Sequence, residues 1–276
     1  MAVVISPQGH RYDRIQPPPL PAHRMLTRVL PTITVVDLRK FDGPMKNQGN
    51  EGSCTGHAFS ESGETIYRMY PFWLPKGAKP APIFSPQHFY EHELIMDGDF
   101  PQDNGSSGET GCNVAVQFGF CPLELASYVA GQIIKPTPEQ DAVARLYSMG
   151  AYHGLTGSAT VISVLADPTP WPVQVGFTVY SSLESDETAS SGIYNPDPST
   201  ESVLGGHEVK CSGFDIGVTP TLRPANCPPA VLIQNSWGTG WGWNKSGYFW
   251  MALSVLDDAQ TDLKVIHSGH PWKVNG

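Results

Sequence analysis

One cysteine in the sequence stands where a cysteine side chain can act as a nucleophile. Cys54 follows the Gly-rich, polar segment 47–53 and begins a helical pattern of apolar residues that includes Ala58 and Ile66 and stops at Pro71. Ser and other small polar residues before such a pattern favour the start of a helix. The N-terminus of a helix carries a partial positive charge, which favours the thiolate form of a cysteine. Cys54 is therefore a candidate nucleophile.

Three further residues have the side-chain types that a catalytic thiol requires: a base, a group that orients the base, and a donor for the oxyanion. Gln48 lies in a turn-like segment, from which its amide can reach an oxyanion beside the N–H of Cys54. His207 directly follows Gly206 at the head of a predicted strand. Asn235 ends another predicted strand, where its amide can hold an imidazole ring. Together they predict a cysteine-based acyl-transfer site.

Four blocks of the sequence, in order, resemble the papain-like cysteine peptidase family. They are the approach to the cysteine, a helix start, the histidine strand and the asparagine block: VDLRKFDGPMKNQGNEGSC, FSPQHFY, LGGHEVKCSGFD and LIQNSWGTGWG. The blocks bracket roughly residues 36–252. The resemblance implies an α+β, two-lobe papain-like fold. A helical lobe would carry the nucleophile helix, an antiparallel β-barrel-like lobe would carry the histidine and asparagine, and a cleft would lie between them.

The same resemblance implies a role for each matching residue. It makes Cys54 the nucleophile, His207 the general base and then acid, Asn235 the residue that orients the imidazole, and Gln48 a donor to the oxyanion. On the substrate side, the resemblance implies that the Trp237 indole shields the His–Asn bond and that the Trp241 indole forms a wall of the leaving-group side. It also implies that Gly206 and Glu208, the neighbours of the histidine, line substrate subsites. The implied activity is hydrolysis of peptide bonds through an acyl-enzyme, with a peptide or protein as substrate and no cofactor or metal.

The sequence departs from the family pattern at three positions near the site. Glu51 stands where relatives carry a cysteine, Thr55 where they carry an aromatic residue, and Glu208 where they carry a small residue. None of these changes removes a catalytic group, but all three alter the surroundings. If Glu208 lines the subsite for the residue two places before the scissile bond, we expect a preference for a basic or polar side chain there.

Two other functions are compatible with parts of the sequence. His88, Glu91 and His92 match the His-x-x-Glu-His pattern of inverted zinc peptidases on a predicted helix, so a zinc-dependent hydrolase is one alternative. No partner motif of that zinc family follows. A non-catalytic peptide-binding module on the same fold is the other. It is disfavoured because all four catalytic residue types are present.

Composition and charge limit the classes of partner. The formal net charge of −9 argues against nucleic acid and anionic membranes, which attract clustered Lys and Arg. No apolar run is long enough for a membrane span, and no secretory signal is visible, so we expect a cytoplasmic protein. His57 is interpreted as structural. The remaining four of the five cysteines are interpreted as core thiols or as including one disulfide: Cys112, Cys121, Cys211 and Cys227.

The pattern along the chain predicts an N-terminal arm followed by one domain with a helical lobe and a β lobe. Residues 1–33 form a Pro-rich N-terminal arm, and residues 34–276 form the catalytic domain. Within that domain, the helical lobe is expected at roughly 45–130 and the β lobe at roughly 131–270. Segment 98–111 is predicted as a loop and Thr137 as the start of a capping box, whereas alternating apolar residues in 173–179 predict a strand.

Overall fold

The computed structural model describes residues 33–267, except for residues 75, 77, 79 and 81. The arm predicted for residues 1–33 therefore lies outside the described residues, apart from Ile33. The boundary between the lobes at residues 130 and 131 stays a prediction. None of the helices within the described residues combines the length and apolar character that a membrane span needs.

Helices dominate the first half of the described chain. The α-helices are α1 (Cys54–Met69), α2 (Pro86–Asp97), α3 (Gly108–Gln117), α4 (Pro138–Ala144), α5 (Gly157–Leu165), α6 (Asp186–Ser191) and α7 (Leu253–Leu256). Helix α3 begins inside the segment that was predicted as a loop, because Ser107 caps it by accepting a hydrogen bond from the Thr110 amide at 3.1 Å. The predicted capping box of Thr137 and Gln140 is present at the start of α4.

An eight-stranded sheet dominates the second half and recruits one strand from the first. Its strands are β1 (Val35–Asp37), β2 (Ala151–Leu155), β3 (Val173–Tyr180), β4 (Ile193–Tyr194), β5 (Val203–Asp215), β6 (Ala230–Gln234), β7 (Tyr248–Ala252) and β8 (Asp262–His267). The order is β2-β8-β3-β5-β6-β7-β4, and β1 pairs with β5. All pairs are antiparallel except the parallel pair of β4 and β7. The predicted α+β class is confirmed.

Helix α1 is buried along nearly its whole length, from Cys54 to Tyr67. It packs against α2 and α3 on one side and against β5 on the other. At Gly56 an added Cβ would lie 2.8 Å from the carbonyl oxygen of Pro86, so only glycine allows α1 and α2 to approach this closely. The helix that begins with Cys54 is thus fixed against both the helices and the central strand of the sheet.

A buried ion pair between β5 and Asp42 also contacts α1 through a hydrogen bond to Thr65. The Lys210 ammonium on β5 donates to Asp42 Oδ1 at 2.6 Å and to Thr65 Oγ1 of α1 at 2.7 Å. Asp42 also accepts hydrogen bonds from Ser212 Oγ at 2.9 Å and Tyr248 OH at 2.8 Å. The side chains of Lys210 and Asp42 are 0% and 1% exposed, so each charge depends on the other for compensation.

Replacing Asp42 tests how strongly this pair supports the fold. We expect Asp42→Ala to lower the free energy of unfolding by about 3–5 kcal/mol, because it leaves the buried Lys210 ammonium without its counter-ion. The double variant Asp42→Ala/Lys210→Met should recover part of that loss. Chemical denaturation measures both values.

The matched control is Asp37→Ala, which breaks the pair of Asp37 and Arg39, each 31% exposed. A partly exposed pair of this kind contributes about 1 kcal/mol or less. Equal losses for Asp42→Ala and Asp37→Ala would contradict a structural role for the buried pair.

Glu61 is a buried carboxyl group on α1 and makes the stability of the protein depend on pH. Burial raises the pKa of Glu61 to about 8, although Lys46 and Lys210 lower it in part. An acid whose folded-state pKa is raised binds more protons in the folded than in the unfolded state. Its contribution to stability is therefore lost as pH rises from about 4.5 to about 8, at up to about 1.4 kcal/mol per pH unit.

We expect Glu61→Gln to remove this part of the pH dependence. Urea denaturation at pH 5, 6.5 and 8 should show a stability advantage of the variant over the wild type that grows with pH. Glu187→Gln, at an exposed position on α6, is the control and should follow the wild type. A constant difference between Glu61→Gln and the wild type would show that Glu61 does not ionise in this range.

Candidate active site

Cys54 is the first residue of α1 and lies against β5. Its Sγ atom is 3.2 Å from the backbone nitrogen of Glu208, the residue that follows His207. Ser53 precedes the helix, and the Ser53 side chain accepts no hydrogen bond from the first amides of α1. The N–H groups at the start of α1 therefore have no side-chain cap from Ser53. The positive end of the helix and an amide donor thus both lie beside the sulfur, where they stabilise negative charge.

His207 and Asn235 form the second part of the site. The Nε2 atom of His207 lies 2.8 Å from Oδ1 of Asn235, which also accepts the amide of Ser236 at 2.9 Å. An amide oxygen only accepts, so in this pair the proton belongs to Nε2. The other ring nitrogen, Nδ1, is then the basic one in the neutral imidazole.

One indole ring covers the histidine, and a second packs against the first. The ring of Trp237 stacks on that of His207 with centroids 5.2 Å apart, and Trp241 meets Trp237 edge-on at 4.9 Å. Trp237 is only 5% exposed. His207 and Asn235 are themselves buried, at 2% and 0% exposed, and a hydrogen bond in such a place is electrostatically stronger than one in water.

Gln48 is tied to the asparagine block through Ser236. The backbone N–H of Gln48 donates to the Ser236 carbonyl oxygen at 2.8 Å, and the Ser236 hydroxyl donates to the side-chain oxygen of Gln48, Oε1, at 2.5 Å. The Gln48 side-chain nitrogen donates to the Glu51 carbonyl at 2.9 Å. Gly49 has a φ of 60°, which allows the chain to turn sharply after Gln48. Ser236 was not singled out from the sequence; its position between Asn235 and Trp237 is the only signal there.

Two polar residues near Cys54 on the helical side are structural in character. Glu51 is 1% exposed, and burial raises the pKa of its carboxyl group. The Nδ1 atom of His57 lies 2.8 Å from the Ser53 carbonyl oxygen, and its ring meets Tyr128 edge-on at 4.6 Å. Burial lowers the pKa of His57 to about 3, so the ring stays neutral in the physiological range. This setting suits the structural interpretation of His57.

Two of the substrate-side residues predicted from the sequence, Gly206 and Glu208, lie on β5 and pair with β3. Gly206 pairs with Thr178 of β3, and Glu208 pairs with Gly176 of the same strand. Gly176 also pairs with Asp262 of β8. An added Cβ at Gly176 would lie 2.6 Å from Glu208 Oε2, so glycine is needed to accommodate the Glu208 side chain. Two acidic side chains therefore flank a glycine next to the histidine.

The cysteines other than Cys54 form no disulfide. All five cysteines are free and buried. Burial raises the pKa of Cys121 and Cys211 to about 12 and that of Cys227 to about 11, and it raises that of Cys112 still more strongly. These four thiols stay protonated at neutral pH, as expected for core residues. The alternative of one disulfide among them is wrong.

The His-x-x-Glu-His segment does not assemble as the zinc-hydrolase pattern requires. Glu91 is engaged elsewhere: its Oε1 atom accepts from Gln87 Nε2 at 2.8 Å and from the Ile134 amide at 2.6 Å. The two histidine rings instead point at Asp141 of α4. A hydrolase with Glu91 as its base is therefore not favoured.

Comparison with known proteins agrees with this geometry. Residues 139–265 match the model of the papain family of cysteine proteases. The chain superposes on xylellain, a cysteine protease from Xylella fastidiosa, with a TM-score of 0.70 and 24% identity, covering 87% of each chain. Helices and sheet thus follow one arrangement in both proteins. The family match and the shared fold support a papain-like cysteine peptidase family for this chain.

Two further relatives extend the match. Digestive procathepsin L 3 from the larval midgut of Tenebrio molitor superposes with a TM-score of 0.65 at 16% identity, over 94% of this chain and 76% of that one. An uncharacterised peptidase C1-like protein of Acanthamoeba polyphaga mimivirus is 26% identical over 221 residues, or 77% of this chain. The match spans 65% of the length of that viral relative. The papain-like fold and the family predicted from four sequence blocks are confirmed.

Proposed function

We propose that this protein is a thiol-dependent peptidase that hydrolyses peptide bonds through an acyl-enzyme on Cys54. The observation that carries the proposal is the buried hydrogen bond between His207 and Asn235. The residue after His207 on β5, Glu208, contacts the Cys54 sulfur through its backbone amide. Peptides and proteins are the substrates that this family acts on. A binding module would need neither the oriented imidazole nor a cysteine at the end of a helix dipole.

The first half of the reaction forms a thioester. The Cys54 thiolate attacks the carbonyl carbon of the scissile peptide bond, and the carbonyl π electrons move to the oxygen. The backbone N–H of Cys54 and the side-chain N–H of Gln48 stabilise that oxyanion. As the tetrahedral intermediate collapses, the C–N bond breaks, and protonated His207 gives its Nδ1 proton to the leaving amine.

The second half releases the acid and restores the Cys54 thiolate and the protonated His207. His207, now neutral at Nδ1, removes a proton from a water molecule that attacks the thioester carbonyl. The second tetrahedral intermediate collapses with cleavage of its C–S bond, which releases the carboxylic acid product and the Cys54 thiolate. Asn235 accepts from Nε2 throughout, so it holds the ring in one orientation while Nδ1 gains and loses its proton. Ser236 holds the Gln48 amide with its oxygen directed away from the oxyanion position.

Replacement of the nucleophile is the direct test of this proposal. We expect Cys54→Ala to reduce kcat/KM on a peptide library by roughly a thousandfold or more, because no other group can form the thioester. An epoxide reagent should modify the wild type at Cys54 only, as read by peptide mass spectrometry. Cys227→Ala, which removes a protonated core thiol, should keep its activity per folded molecule. Unchanged turnover in Cys54→Ala would refute the proposal.

Substrate preference follows from the acidic pair beside the site. We expect a faster reaction with Lys than with Leu two places before the scissile bond, since the Glu208 carboxylate can bind an ammonium group. In Glu208→Gln the ratio of kcat/KM for the two substrates should fall by about tenfold or more, because a charged hydrogen bond contributes about 1.5–3 kcal/mol. The Leu substrate is the internal control for folding and chemistry. Equal rates for Lys and Leu in the wild type would contradict this assignment.

A further inference from the structure

Two histidines and an aspartate meet on the face of α2 that carries no residue of the proposed active site. His88 and His92, one turn apart on α2, have their Nε2 atoms 3.0 Å and 2.7 Å from the same oxygen, Oδ1 of Asp141 on α4. One candidate ligand atom from each residue lies within 4.8 Å of the other two. Because residues at positions i and i+4 share a helix face, the spacing brings both rings to the same point.

We propose that His88, His92 and Asp141 form a binding site for one divalent transition-metal ion of borderline softness, with zinc as the reference ion. Two imidazole nitrogens and one carboxylate oxygen make up a common donor set for zinc. The set differs from the pattern read along the sequence, because the oxygen ligand comes from Asp141, 49 residues after His92 in the chain, and not from Glu91.

The two nitrogen–oxygen distances need only a small change to admit the ion. Donor atoms bound to a tetrahedral zinc at about 2.0–2.2 Å lie about 3.3 Å apart. The observed nitrogen–oxygen distances of 2.7 Å and 3.0 Å are a few tenths of an ångström shorter. Asp141 can make this adjustment, because its side chain is 24% exposed and lies on the short helix α4, whereas His88 and His92 are 0% and 5% exposed. The exposed side of Asp141 leaves access for the ion and for a water as fourth ligand.

The histidine rings are already held in position by their neighbours. Phe118 stacks on the His92 ring with centroids 3.9 Å apart, and the two histidine rings contact each other at 4.6 Å. Their polar contacts within the described residues are made by Nε2, whereas both Nδ1 atoms are buried without a hydrogen-bond partner.

A bound ion would fasten the loop between α3 and α4 to the helical core. That loop supplies Tyr128, whose hydroxyl donates to the Gln48 carbonyl at 2.8 Å, and Ile134, whose amide donates to Glu91. Helix α4 ends the loop, and Gln140 of α4 donates to the Leu125 carbonyl at 2.8 Å. The ion would therefore stabilise the loop that contacts Gln48 without taking part in the chemistry at Cys54.

Metal titration of the full chain tests the site. The background variant is Cys54→Ser, so that the proposed catalytic thiol cannot bind the ion. After treatment with a chelator and its removal, zinc is titrated calorimetrically, and cobalt(II) is added separately to record its visible absorption. We expect one zinc per chain, a rise in Tm with zinc concentration, and the intense visible bands of a four-coordinate cobalt site.

The variants decide which residues bind the ion. Asp141→Asn keeps a hydrogen-bond acceptor of the same shape, so the fold should survive while zinc affinity falls at least tenfold. His92→Gln should produce a similar loss. His153→Gln is the matched control, because the half-buried His153 stacks on the buried His267 with centroids 4.9 Å apart, and the zinc affinity of this variant should equal that of the background variant.

Two results would overturn the proposal. One is the absence of a zinc-dependent shift in Tm in the background protein. The other is equal zinc affinity in the background protein and in Asp141→Asn, which would assign binding to other residues. In either case the three side chains would form a hydrogen-bonded link between α2 and α4 and nothing more.

Discussion

The buried ammonium group of Lys210 holds together the two elements on which the site depends. It lies on β5, three residues after His207, and donates to Thr65 of α1 and to Asp42. Helix α1 begins with Cys54 and β5 carries His207, so this contact fixes how the two elements lie against each other. A rotation of α1 about its axis would separate the sulfur from the Glu208 amide and would also remove Thr65 as an acceptor for the buried ammonium group.

A polar interface of this kind is specific rather than strongly stabilising. Burying Lys210 and Asp42 costs hydration free energy, and their attraction with well-placed hydrogen bonds offsets that cost. An apolar interface between α1 and β5 would tolerate several packings of similar energy, whereas the buried ions tolerate only one pairing. Glu61, one turn before Thr65 on α1, keeps its proton at neutral pH for the same reason: water does not reach this interface.

The site itself is a second connected polar group, and Ser236 is its centre. The Ser236 backbone N–H donates to the side-chain oxygen of Asn235, and the Ser236 hydroxyl donates to the side-chain oxygen of Gln48. One residue therefore orients both the amide that bonds to His207 and the proposed oxyanion donor. Trp237, the next residue, then covers the imidazole. Three consecutive residues therefore set the geometry around His207. This explains why a single short block of sequence carries so much of the resemblance to the family.

Much of the architecture was predictable because local patterns report local structure. The helix starting at Cys54, the capping box at Thr137 and the alternating strand at Val173 were all predicted from residue types and their periods. The start of α3 was missed, since the polar residues that cap a helix are the same ones that occur in loops. The sequence motif also paired His88 and His92 with Glu91, because a short motif contains only residues that are close together in the chain.

The sequence by itself determined the family, the α+β class and the identity of the residues proposed for catalysis, since these rest on residue types in a fixed order. Only the tertiary structure decided which side chains meet. It directed His88 and His92 at Asp141, it placed Ser236 between Gln48 and Asn235, and it put Asp262 beside Glu208 across Gly176. Such contacts join residues far apart in the chain, and they depend on how helices and strands pack, which no local pattern of residues encodes.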